Sequence, residues 1–99
     1  MTSPTGVPQH GVRFELVLRT AGPGRAVYEG FARTGGLDLT LRVTSETESA
    51  KAELTASPRP DNADALERAA AALVRAATRA ELEEGAPPPH KIVRWREVG

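Results

Sequence analysis

Apolar and polar residues alternate along the first half of this chain. Val12, Phe14, Leu16 and Leu18 fall on one side of an extended segment, and Arg13, Glu15, Val17 and Arg19 on the other. A period of two marks a strand with one face against a core. Ala21-Gly22-Pro23-Gly24 interrupts it with turn residues. The pattern predicts a second strand from Ala26 to Arg33, a turn at Thr34-Gly35-Gly36, and a third strand in which Leu37, Leu39, Leu41 and Val43 point inward. A polar loop over 44–49 precedes a fourth strand, with Ala50, Ala52, Leu54 and Ala56 inward and Lys51, Glu53 and Thr55 outward. The period then changes. After a cap at Asp61 or Asn62, Leu66, Ala69, Ala70, Leu73, Ala77 and Ala80 recur at helical spacing as far as Glu84, with Arg68, Arg75 and Arg79 on the opposite side. Gly85 stops the helix, Pro87-Pro88-Pro89 forms a stiff spacer, and Lys91 to Val98 (KIVRWREV) reads as a last strand.

These elements predict one α+β domain over residues 12–99. It is an antiparallel four-stranded β-meander followed by a helix on one face and a fifth strand, in the order 5-1-2-3-4; the alternative lays the fifth strand parallel beside the fourth through a right-handed crossover. Residues 1–11, rich in Pro, Gly and small polar side chains, read as a flexible lead-in. Pairing inward residues with inward residues suggests specific registers. A three-residue loop closed by Arg33 and Leu37 sets Phe31 opposite Leu39 and Val27 opposite Val43. Pairing Val43 with Ala50 and Leu18 with Val27 extends the same face, the latter setting Phe14 opposite Phe31. That register places Glu29 on the apolar face between Leu16 and Leu41, where a carboxylate needs a partner or a raised pKa. A bulge at Gly30, which would turn Glu29 outward, is the alternative.

Composition narrows the chemistry. Cysteine is absent, which excludes disulfides, thiol catalysis and zinc–thiolate sites. The 39% hydrophobic fraction leans on alanine, with only one Trp, one Tyr and two Phe, so the core is thin in bulky side chains. Formal net charge is zero, with basic ends flanking an acidic middle, and arginine far outnumbers lysine. Neither a signal-like apolar segment nor a membrane-length run is present, and a soluble, cytoplasmic protein with no membrane association is the expectation.

No motif for a catalytic, metal or cofactor site stands out. The glycine turns join strand to strand and lack the lysine of a phosphate loop. The serines lie in loops or at strand ends without a histidine base nearby. His10 and His90 precede strands that start at opposite ends of the sheet, about 26 Å apart at strand spacing. The outer sheet face is the main candidate, gathering Arg13, Val17, Arg19, Tyr28 and Arg42, with Arg94 and Arg96 joining from the last strand. Three functions fit. The leading one is a non-catalytic interaction or adaptor module that binds another protein or itself, as a homodimer through its sheet. The second is a nucleic-acid-binding domain using the Arg-rich outer face. The third is a small ligand-binding or enzymatic domain using a buried Glu29.

Overall fold

A computed structural model describes residues 11–46, 49–56, 58–83 and 87–97. Most of the expected lead-in, His10, the end of the helix at Glu84 and the last strand's Val98 lie outside them. Six elements follow one another: β1 (Gly11–Gly22), β2 (Arg25–Thr34), β3 (Leu37–Glu46), β4 (Ala50–Thr55), α1 (Ala63–Glu83) and β5 (Lys91–Glu97). All strand pairs are antiparallel, and the sheet order is β4-β3-β2-β1-β5, as the pattern predicts.

The registers differ from expectation in all three hairpins, and the reason lies in the turns. Thr34 pairs with Leu37, so the loop is the two residues Gly35-Gly36 rather than three. Their φ angles, 57° and 82°, are both positive. That is the type I′ geometry whose twist matches the flanking strands, and glycine adopts it at no steric cost. Shortening the loop by one residue turns every β2 side chain to the other face. Tyr28 now lies opposite Val43, Gly30 opposite Leu41 and Ala32 opposite Leu39. Against β1, Leu16 meets Gly30 and Phe14 meets Ala32. Val43 pairs with Ala52 rather than Ala50, a two-residue shift that preserves the face.

The turn between β1 and β2 is also two residues, Pro23-Gly24, closed by Gly22 and Arg25. Continued regularly, that register would bring Leu18 opposite Glu29. A bulge prevents it: Thr20 pairs with Val27 and Leu18 with Tyr28, leaving Arg19 as the extra residue. The bulge therefore sits at Arg19 and not at Gly30. Gly30 is required for a different reason. A Cβ there would run into the Glu15 carbonyl oxygen and the Leu16 Cα of β1.

The core fills the space between the inner sheet face and α1. Val12, Phe14, Leu16, Tyr28, Ala32, Leu41, Val43, Leu54 and Ile92 of the sheet are buried with Ala63, Leu66, Ala70, Leu73 and Val74 of the helix. Asn62 provides the N-cap, its carbonyl accepting the Leu66 N–H at 3.0 Å. The buried helix face turns further towards Val74 and Thr78 than the alanine spacing suggests. Thr78 and Ser45, both 3% exposed, share a hydroxyl–hydroxyl hydrogen bond of 3.0 Å, and Thr78 also donates to the Val74 carbonyl at 2.8 Å. Tyr28 donates from its hydroxyl to the Pro89 carbonyl at 2.7 Å. This bond ties the proline spacer to the core and brings the chain into β5, where the Leu18 N–H donates to the His90 carbonyl at 2.8 Å.

Candidate functional site

The sheet face away from α1 is laid out by the observed registers. Across β5, β1, β2 and β3, one row reads Trp95, Arg13, Arg33, Asp38. The next reads Val93, Glu15, Phe31, Thr40, and the third Lys91, Val17, Glu29, Arg42. Trp95 is 44% exposed and Val17 37%, while Val93 and Phe31 are half-buried. Val93 and Phe31 flank Glu15 and Val17 is diagonal to both, so with Trp95 next to Val93 along β5 these apolar side chains make a strip that bends around Glu15.

The charges around this strip pair with one another. Glu15 accepts from Lys91 Nζ at 2.9 Å and Arg13 Nη1 at 3.3 Å. The Lys91 bond, aided by the nearby guanidinium charges and opposed by partial burial, holds the Glu15 carboxyl below its ordinary range. Arg33 binds Asp38 through two hydrogen bonds of 2.8 and 3.3 Å, which lower the Asp38 pKa and raise that of Arg33. The same guanidinium lies 5.3 Å from the Phe31 ring centroid, at cation–π distance. Arg19, swung out by the bulge, meets Glu29 at 3.2 Å. Arg42 lies opposite Glu29 on one side and Glu53 on the other.

Several expected site residues are placed differently. Arg13, Val17, Arg19 and Arg42 do lie on the outer side. Tyr28 does not: the one-residue register change buries it completely in the core. Arg94 and Arg96 leave the outer face too, because they pair with Phe14 and Val12 and so share the helix side of β5. Glu29 is not a buried acid. Its side chain is 45% exposed and ion-paired, since the register that turned Tyr28 inward turned Glu29 outward. Phe31, Val93 and Trp95 are the outer-face residues that the sequence reading missed. The alternation of Val93 with Trp95 in KIVRWREV was the available signal, but their face depended on the β1–β5 register. Among the described residues no three His, Asp or Glu side chains converge on a common point, and no helix is long and apolar enough to cross a membrane.

Both sheet edges carry side-chain caps. In an antiparallel ladder, residues that exchange main-chain bonds alternate with residues whose N–H and C=O point away. Leu18 bonds His90, so the carbonyls of Val93 and Trp95 face the free edge of β5. Arg94 Nη1 donates to Val93 O at 2.7 Å, and Arg96 Nη1 to Trp95 O at 2.8 Å. At the other edge, the outward N–H of Leu54 donates to Glu67 Oε2 at 2.8 Å. Arg59 holds that carboxylate at 2.8 Å and Asp64 at 2.7 Å. The Arg59 bond first and the Leu54 amide second keep Glu67 below its ordinary pKa.

No protein-family model matches this chain, and neither the curated proteins nor the solved structures contain a match to it.

Proposed function

We propose that this protein is a non-catalytic interaction module that pairs with a second copy of itself through the open face of its sheet. The observation that carries this reading is the strip of Trp95, Val93, Phe31 and Val17 within charges already paired inside the chain. Covering such a face buries apolar surface without leaving a lone charge dry, which is the costly outcome at an interface. A two-fold axis through the strip sets it against itself. The arginine caps along the free edge of β5 favour face-to-face contact over strand addition there. The alternative of nucleic acid on this face loses support with Tyr28 in the core and Arg94 and Arg96 on the other side. It retains Trp95 beside Arg13 and Arg33 as its strongest feature.

Sedimentation equilibrium over a concentration series tests the reading. The parent protein is expected to dimerise, with little dependence on salt, and Trp95→Ala together with Val17→Asp to remain monomeric while keeping its melting temperature. A parent that stays monomeric at the highest concentrations overturns the proposal. Oligonucleotide binding that weakens steeply with salt and disappears in Trp95→Ala would favour the alternative.

A further inference from the structure

A second surface lies on the opposite side of the molecule, where α1 passes the free edge of β4. An open groove of about 640 Å³ runs there, lined by Ser49 and Ala50 on the strand side and by Arg68, Ala72, Arg75 and Arg79 on the helix side. The cap on the outward N–H of Leu54 fixes the alternation along β4, so the main-chain groups of Ala50 and Ala52 also face this edge. Glu67 covers the Leu54 end. Among the described residues, no side chain plays that part at Ala50 or Ala52.

We infer that this half of the β4 edge takes an extended acidic peptide segment of a partner protein. The segment adds as a strand and places its carboxylates on the arginines of α1. Charge complementarity carries the assignment, and the protein supplies its own precedent. Beside this edge Glu67 already shows a carboxylate gripped by an arginine. A partner segment whose main-chain carbonyls accept from Ala50 and Ala52 sets its carboxylates beside Arg68 and Arg75 in the same way. The alanine floor lets a backbone approach closely. Among the described residues none that lines the groove is aromatic, so they offer no platform for stacked bases.

The surface is distinct from the open sheet face, and the two are separable by experiment. The probe is a fluorescein-labelled peptide of alternating Glu and Val, followed by anisotropy at low ionic strength. It is expected to bind, to weaken as salt is added, and to lose about tenfold or more in affinity to Arg68→Gln/Arg75→Gln. N-methylation of alternate peptide amides is expected to abolish binding, because it removes the strand pairing while leaving the charge. Trp95→Ala is expected to bind the peptide as the parent does, whatever its oligomeric state. Circular dichroism of the double variant checks that it remains folded, and both positions are exposed. Failure of the peptide to bind overturns the inference. Equal binding by the N-methylated peptide, or tighter binding by oligothymidylate of the same charge, overturns it too, in favour of a nonspecific polyanion surface.

Discussion

Gly30 shows how a single position constrains the sheet. It occupies the inner face between Leu16 and Leu41, where the β1 backbone leaves no room for a Cβ beside the Glu15 carbonyl. Gly30→Ala is expected to destabilise the fold by about 2–3 kcal/mol, the scale of overpacking with backbone displacement. An unshifted urea midpoint would show that β1 yields easily. Tyr28 is buried for its ring and satisfied at its hydroxyl, which reaches Pro89. Tyr28→Phe removes the donor and keeps the packing, for an expected loss of about 1 kcal/mol. Faster amide exchange in β5 would accompany that loss, because the Pro89 bond leads directly into that strand.

At the scale of the elements, the Ser45–Thr78 and Leu54–Glu67 bonds are polar links between α1 and the sheet. The Ser45–Thr78 bond is buried. Thr78→Val strands the Ser45 hydroxyl and is expected to cost about 1–2 kcal/mol, while adding Ser45→Ala recovers part of it. Strict additivity in that double-mutant cycle would mean that the hydroxyls do not interact. The second link, Glu67 to the Leu54 amide, depends on pH. Its folded pKa lies below the ordinary value of 4.5. The folded state thus binds fewer protons than the unfolded state as pH falls towards that range. The stability this contributes is complete above the unfolded pKa and is lost as pH drops through the folded one. Glu67→Gln should therefore be less stable than the parent near neutral pH, and the gap should close under acid. Melting temperatures at about pH 7 and about pH 3 measure it, and a constant gap would assign the effect to shape rather than charge.

For the molecule as a whole, formal net charge is zero while the local surfaces differ. The open sheet face is apolar among internally paired charges, and the groove beside β4 is lined by arginine. Their salt responses should therefore be opposite in kind. Self-association of the parent is expected to persist from low to physiological ionic strength, whereas binding of the acidic peptide falls over the same range. Parallel titrations read both. Loss of dimer on adding salt would mean that charge and not the Trp95 strip holds the copies together.

The alternation of Val12 to Leu18 and of Leu37 to Val43, the switch to helical spacing at Leu66, and the Gly and Pro punctuation between them were legible in the residues alone. So was the direction of β5, because strands and helix alternate up and down across short connections. Those features determined the elements and the order of the meander, since each depends on neighbours in the chain, while tertiary pairing decided that β5 lies beside β1 and not β4. Which face β2 shows did not follow from them. Its inner positions, Ala26, Tyr28, Gly30 and Ala32, are less apolar in appearance than Val27 and Phe31, so the pattern favours the wrong face. The observed face depends on Gly35-Gly36 forming a two-residue turn, on the bulge at Arg19, and on Gly30 admitting the β1 backbone. With a side-chain period of two, one residue of slip exchanges the buried and exposed sets, and only packing against both neighbouring strands and the helix selects between them. For the same reason tertiary structure decided the candidate surfaces: it buried Tyr28, paired Glu29, moved Arg94 and Arg96 to the helix side, and exposed Trp95 instead.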